Sequence, residues 1–110
     1  MSAYLIYVCQ GVQDRKELET YWEKSQATFT GQSMKVLAAY TSLEVLEGDE
    51  PVEGVVIAEF PSMESTRSWF HGADYTEVRK HRNRGANYLG LLIDAGIITD
   101  SKDRMPRTRK

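Results

Sequence analysis

The order of predicted elements along this chain is β-α-β-β-α-β, which predicts an α+β protein of the ferredoxin-like class. That class has a four-stranded antiparallel sheet with its helices on one face. Residues 55–75, VVIAEFPSMESTRSWFHGADY, encode a strand, a turn at Pro61 and a helix capped by Ser62 in direct succession. Residues 3–11 and 88–93 are mainly apolar at both odd and even positions, which is typical of strands buried on two faces.

Composition and charge indicate one folded domain, residues 1–98, followed by a basic tail at residues 99–110 that we expect to be disordered. The 110 residues are 41% hydrophobic and 27% charged, and the net charge of −2 gives no reason to expect nucleic acid as a partner. Cys9 is the single cysteine, which excludes a disulfide within the chain and fits a reducing compartment. The N-terminal apolar run lacks a basic leader and is too short to span a membrane, so we expect a cytoplasmic protein.

The first helix is predicted to begin at Asp14, which forms a D-x-x-E capping pattern with Glu17. Its inward stripe follows the helical period, and Gly31 is suited to end it. The stripe consists of Leu18, Tyr21, Trp22, Ser25 and Phe29.

The second strand is predicted over residues 34–40, bent near 41–42 and resumed over 44–47. Turn residues at 48–51 then lead into a third strand at 54–60.

A second helix is predicted from Ser62 to about residue 71, where Gly72 ends it. Asp74 and Glu77 form another D-x-x-E pattern, so the chain should re-enter a helix at residue 75 and leave it near 84. The last strand is predicted over residues 88–93.

The helices can cover only one face of such a sheet, yet its strands are apolar on both faces. A monomer would therefore expose a large apolar surface, which soluble monomers avoid. We expect the bare face to pack against the same face of a second copy, giving a two-fold homodimer.

Arg82 and Glu59 are the candidate catalytic residues. At 100° per residue, Arg82 falls on the inward side of the last helix with Tyr75 and Val78, where a guanidinium needs an anion or several acceptors. Glu59 lies near the end of an interior strand, where burial would raise its pKa and suit it to general acid–base work. The alternative is a structural ion pair between the two.

Aromatic residues are plentiful near the expected pocket. The candidate ligand-binding aromatics are Tyr7, Tyr40, Trp69 and Tyr75. Tyrosines are the better pocket candidates, because a buried hydroxyl needs a partner that a ligand can supply. Phosphate-loop, dinucleotide and serine-hydrolase motifs are absent from the sequence, and Cys9, His71 and His81 are not at metal-ligand spacing, so we expect no metal and no cofactor.

The segments 46–48 and 55–64, followed by Trp69, Tyr75 and Arg82, closely resemble a bacterial domain family of unknown function, the DUF-thirteen-thirty group. The resemblance covers about residues 3–96, and the matching positions are Glu47, Glu59, Trp69, Tyr75 and Arg82. The family belongs to the dimeric α/β-barrel superfamily, which implies sheet-to-sheet dimers. Relatives there include cofactor-independent monooxygenases, isomerases, cyclases and haem-handling proteins. Haem is disfavoured here because neither His71 nor His81 is expected to point inward.

Together these observations predict a homodimer that binds a small anionic or carbonyl-bearing molecule between its sheet and helices. It would isomerise, cyclise or oxygenate that molecule without a metal, with Glu59 moving a proton, Arg82 holding negative charge, and the aromatics and Glu47 lining the site. The alternative is a non-catalytic ligand-binding or interaction module in which Glu59 and Arg82 form a structural ion pair.

Overall fold

The computed structural model of the chain describes residues 2–97 and confirms the ferredoxin-like class. The predicted tail, and with it the predicted domain end at residue 98, lies outside the described residues. The sheet has the strand order β2-β3-β1-β4, and each neighbouring pair is antiparallel. The elements in chain order are β1 (Ala3–Val12), α1 (Arg15–Ser25), β2 (Lys35–Ala39), β3 (Gly54–Phe60), α2 (Met63–His71), α3 (Ala73–Gly85) and β4 (Ala86–Asp94).

The first helix begins where the sequence predicts, because the Asp14 carboxylate accepts the N–H groups of Lys16 and Glu17. Glu17 does not complete the expected capping box, since its carboxylate is bonded to two side chains of α3 instead. α1 ends earlier than predicted and continues as a single 3₁₀ turn, Gln26–Phe29. Gly31 follows with φ of +81°, a conformation that favours glycine.

The second and third helices follow each other with almost no break. Ser62 and Ser65 form a reciprocal capping box at the start of α2. Gly72 caps the end of α2 and the start of α3. α3 therefore begins two positions before the predicted residue 75, and Asp74 lies in its first turn rather than at the cap.

The predicted continuation of the second strand over residues 44–47 is wrong. β2 pairs with β3 only as far as Ala39 opposite Val56, and β3 itself begins at Gly54. Residues 44–47 therefore have no strand opposite them, and their side chains are exposed. An apolar pattern cannot form a strand without a partner to receive its hydrogen bonds.

The sheet has one covered face and one bare face. The odd-numbered residues of β1 from Ala3 to Cys9 are buried under the helices, whereas Tyr4, Ile6 and Val8 point to the other side. Ile6 lies between Ile57 of β3 and Leu91 of β4, so the bare face is apolar across three strands. Among residues 2–97, no helix has the length and apolar character needed to cross a membrane.

Candidate functional site

A cavity of about 400 Å³ lies between β1, β4 and the helices α2 and α3. We call it the Arg82 pocket. Its walls include the aromatic rings of Tyr7, Phe70 and Tyr88, and β4 passes it at Gly90. A side chain at position 90 would crowd the Tyr7 ring, because an added Cβ would lie 3.1 Å from Tyr7 Cε1. The polar side chains that line the pocket are Thr66, Arg67, His71, Arg82 and Asn83.

Arg82 is the buried cation of this pocket, as its place on the inward side of α3 predicts. Its side chain is 7% exposed, and its guanidinium carbon lies 4.3 Å from the centre of the Tyr7 ring and 4.9 Å from that of Tyr88. Arg82 Nε is buried and has no hydrogen-bond partner. Within residues 2–97, no carboxylate forms an ion pair with Arg82. Within these residues the guanidinium contacts the faces of two aromatic rings instead of a counter-ion.

The neighbouring tyrosines do not supply the missing negative charge. Burial raises the pKa of Tyr7 well above the ordinary tyrosine value, and it does the same for Tyr88. Both phenols are therefore protonated at physiological pH. They offer Arg82 the negative faces of their rings, which is a weaker interaction than an ion pair.

A chain of three buried hydroxyl groups runs beside the pocket. Tyr75 OH lies 2.8 Å from Tyr7 OH and 2.7 Å from Tyr21 OH, and the Tyr75 ring packs on Trp69 with their centres 3.9 Å apart. Burial raises the pKa of Tyr21 and Tyr75 as well. Three protonated hydroxyls joined by two bonds keep one O–H that the chain itself does not use. The donor directions of the two bonds decide which of the three tyrosines keeps it.

A second, smaller cavity of about 230 Å³ lies on the other side of Tyr7, between α1 and the strands β2 and β3. Trp69 and Tyr40 line this cavity rather than the Arg82 pocket. Tyr40 is the sole non-glycine residue with positive φ among the described residues, at 57°, and its hydroxyl lies 2.6 Å from that of Tyr88. Tyr40, which follows β2, therefore connects that end of the sheet to β4, with β3 and β1 lying between them.

Glu59 does not join Arg82, so the predicted ion pair is wrong. Ala58 and Phe60 take the buried positions of β3, and strand alternation turns Glu59 to the bare face, opposite Tyr4 of β1. Glu59 lines neither cavity. Both parities of β3 are apolar, so the pattern alone did not reveal which face the carboxylate would occupy.

The remaining predicted residues are divided between several places. Glu47 is exposed in the segment between β2 and β3 and lines neither cavity. Tyr75 is fully buried and lines neither cavity. His71, which was expected to point away, lines the Arg82 pocket from the exposed end of α2, although His81 does not.

Several residues of the site were missed by the sequence analysis. Tyr21 was assigned only to the inward stripe of α1, yet it ends the hydroxyl chain. Tyr88 stands at the start of the last strand, and its contact with Arg82 depends on the pairing of β4 with β1. Phe70 and Arg67 lie on α2, and their positions in the sequence gave no indication that they would line a pocket. Among the described residues, no cluster of three or more His, Cys, Asp or Glu side chains could hold a metal ion.

Comparison with solved structures supports the fold. A protein of unknown function from Rhodopseudomonas palustris is 16% identical with a TM-score of 0.67, over 88% of this chain and 84% of that one. SnoaB, a cofactor-independent oxygenase from Streptomyces nogalater, is 14% identical with a TM-score of 0.61, over 91% of this chain and 98% of its own. A dimeric protein of unknown function with a ferredoxin-like fold from Bacteroides fragilis is 11% identical with a TM-score of 0.53, over 86% and 96%. These likenesses show the fold alone.

No curated protein matches the sequence significantly. A family model does match, over residues 2–95, which is most of the chain. The family is described as a domain of unknown function (DUF1330), and the chain belongs to it.

Proposed function

We propose that this protein binds a small organic anion in the Arg82 pocket. The observation that carries the proposal is that Arg82, a residue only 7% exposed, lines a cavity and has no carboxylate partner among residues 2–97. Burying a charge without a counter-ion is unfavourable, so Arg82 reduces the stability of the empty protein. An anionic ligand would supply the missing partner, and functional sites often keep charges that stability alone does not favour.

The charge distribution of the pocket supports an anion. Arg67 and His71 line it at its exposed end, and no aspartate or glutamate is among its lining residues. The carboxylate of Glu17, which contacts α3 from α1, already accepts hydrogen bonds from His81 and Arg84. A cavity lined by charges of one sign attracts ligands of the other sign.

Thermal melting with a panel of small organic anions tests this proposal. The panel contains keto acids, aliphatic and aromatic carboxylates and organic phosphates. A ligand at 100 times its Kd should stabilise the protein by about 2.7 kcal/mol, and this stabilisation should be lost in Arg82→Met. Arg15→Met is the matched control, because Arg15 also lies over an aromatic ring, that of Trp22 at 5.7 Å, and neither residue lines the pocket.

Two results would overturn the anion site. One is a panel in which no organic anion raises the melting temperature of the wild-type protein. The other is a ligand-induced shift of the same size in Arg82→Met and in the wild type.

The hydroxyl chain favours a second candidate function, in which the bound molecule is isomerised, cyclised or oxygenated without a metal. When Tyr21 donates to Tyr75 and Tyr75 donates to Tyr7, the unused O–H is that of Tyr7 at the pocket wall, where it would stabilise negative charge that develops on a carbonyl oxygen. A fold neighbour, SnoaB, is a cofactor-independent oxygenase. The proton-transfer role of Glu59 stays a prediction, and its place on the bare face gives it no support. Chromatographic separation with mass analysis of bound ligands after incubation in air tests turnover, because it resolves isomers as well as oxygenated products. Recovery of every ligand with unchanged retention and mass would favour a non-catalytic binding module.

The bare face supports a homodimer as the working form. It is apolar across β3, β1 and β4, and a fold neighbour from Bacteroides fragilis is described as dimeric. A two-fold pairing of these faces would bury the apolar side chains of both copies. We expect the dimer to act in the cytoplasm without a nucleic-acid partner, since the chain has one cysteine and a net charge of −2.

A further inference from the structure

We infer that the ligand of the Arg82 pocket is an aromatic monocarboxylate of one or two rings. Its carboxylate lies against the edge of the Arg82 guanidinium, and its ring lies among the side chains of Tyr7, Phe70 and Tyr88. This inference rests on the proposed anion site and specifies the chemistry of both ends of the ligand.

The environment of Arg82 selects the head group. The rings of Tyr7 and Tyr88 lie close to the guanidinium carbon, but ring faces do not accept the in-plane hydrogen bonds that the N–H groups offer. Nε is buried, so a ligand in the cavity would reach the guanidinium through its terminal nitrogens. A carboxylate has two coplanar oxygens at the spacing of a guanidinium fork, so it can bond both terminal nitrogens together.

The charge at the buried end favours a monoanion. Arg82 is the one cation of the pocket that is buried, whereas Arg67 and His71 are exposed. A single guanidinium balances one carboxylate. A phosphate monoester dianion in the same place would keep one negative charge without a buried partner, which is costly away from water.

The walls of the pocket select the body of the ligand. Tyr7, Phe70 and Tyr88 present three aromatic rings, and Leu5 and Leu92 complete an apolar surface. Aromatic ligands gain from edge and offset contacts with such rings beyond the area that they bury. A volume of about 400 Å³ lies at the small end of ligand pockets, which suits one or two fused rings.

The buried wall offers few further polar contacts. The Thr66 hydroxyl already donates to the backbone oxygen of Ser62 at 2.9 Å, and Asn83 is exposed. A sugar acid or other polyhydroxylated anion would therefore lose its hydrogen bonds to water without replacing them. A hydrocarbon ring has no such cost.

Calorimetric titration of the full chain with matched ligands tests the inference. The probes are benzoate, 2-naphthoate, cyclohexanecarboxylate, benzamide and phenyl phosphate. Benzoate or 2-naphthoate should bind about 2- to 12-fold more tightly than cyclohexanecarboxylate, which is the worth of one aromatic contact. Benzamide should show no binding, and phenyl phosphate should bind more weakly than benzoate.

Two variants connect this preference to the structure. Phe70→Leu keeps an apolar wall and removes one ring, so the advantage of benzoate over cyclohexanecarboxylate should shrink. Arg82→Lys keeps the charge but not the planar fork, so benzoate binding should weaken at least tenfold while Arg15→Met leaves it unchanged.

The possible failures are distinguishable. Equal binding of benzoate and cyclohexanecarboxylate would overturn the aromatic class but leave the anion site intact. Phenyl phosphate binding more tightly than benzoate would overturn the monocarboxylate assignment. Binding of none of the charged probes, together with no shift from the wider panel of anions, would overturn this inference and the proposed function together.

Discussion

The guanidinium carbon of Arg82 lies 4.3 Å from the centre of the Tyr7 ring, and the hydroxyl of that ring is bonded to Tyr75. Tyr7 of β1 therefore contacts the Arg82 guanidinium with the face of its ring and joins the hydroxyl chain through its OH group. Tyr7 also lines both cavities. Changes at this position should affect charge stabilisation and hydrogen bonding separately, depending on which part of the side chain is removed.

The hydroxyl chain predicts an ordered set of stabilities for three Tyr→Phe variants. Tyr7→Phe and Tyr21→Phe each remove one hydrogen bond and should each cost about 0.5–1.5 kcal/mol. Tyr75→Phe removes both bonds and should cost about twice as much, because Tyr75 is the middle of the chain. Urea unfolding of the three variants measures the order. A Tyr75→Phe variant that is no less stable than Tyr7→Phe would contradict this arrangement.

The bare face predicts that a single charge will disrupt self-association. Ile6 and Val8 both point to this face, so Ile6→Lys or Val8→Lys should dissociate the dimer or unfold the chain. Glu23→Lys is the control, because Glu23 is exposed on α1. Sedimentation at micromolar concentration measures the outcome, and a well-behaved wild-type monomer would rule out the dimer.

Much of the fold follows from local sequence. β3 occupies residues 54–60 as predicted, since turn residues precede its apolar run and Pro61 follows it. The inward position of Arg82 was also predictable, because helix geometry fixes which residues share a side with Tyr75. These features depend on residues within a few positions of each other.

The rest of the site depends on contacts that local patterns do not contain. The hydrogen bond between Tyr40 and Tyr88 joins residues 48 positions apart, and the left-handed backbone of Tyr40 has no signal in its residue type. The side of the sheet that Glu59 occupies depends on the register of β3, and a run that is apolar at both parities does not fix it.

A side-chain cluster between α1 and α3 predicts a dependence of stability on pH. Glu17 Oε2 accepts a hydrogen bond from His81 Nδ1 at 2.6 Å, and Oε1 accepts one from Arg84 at 3.1 Å. The bonds from His81 and Arg84, in that order of importance, lower the pKa of Glu17 below its ordinary value of 4.5. The stabilisation of the fold by the ionised Glu17 is therefore fully present above pH 4.5, and it is lost as the pH falls through the lowered pKa.

Glu17→Gln tests this dependence. The variant should be less stable than the wild type near neutral pH, and the difference should disappear in acid below the lowered pKa of Glu17. Glu19→Gln is the control, because it removes a carboxylate of the same helix that pairs with exposed Arg15. Urea unfolding across the acid range gives both curves, and a Glu17→Gln difference that does not change with pH would refute the assigned cause.

Arg82 and Glu59 give the last prediction, which concerns their independence. They lie on opposite faces of the sheet and form no ion pair, so their effects on the free energy of unfolding should add within about 0.5 kcal/mol. Glu59→Gln changes a partly exposed side chain and should cost no more than about 0.5 kcal/mol.

The direction of the change in the free energy of unfolding is more informative for Arg82→Met. A buried pair that loses one member is destabilised by about 3–5 kcal/mol, because the other charge is stranded. Arg82 has no such partner among residues 2–97, and its contacts with aromatic rings are weaker than an ion pair. Replacing it by an apolar side chain of similar length should therefore leave the empty protein equally stable or more stable. Urea unfolding of the wild type, both single variants and the double variant, at one protein concentration, completes the cycle. A strong loss of stability in Arg82→Met that Glu59→Gln partly recovers would restore the ion pair, whereas gained stability with lost anion binding would show that Arg82 is kept for its ligand.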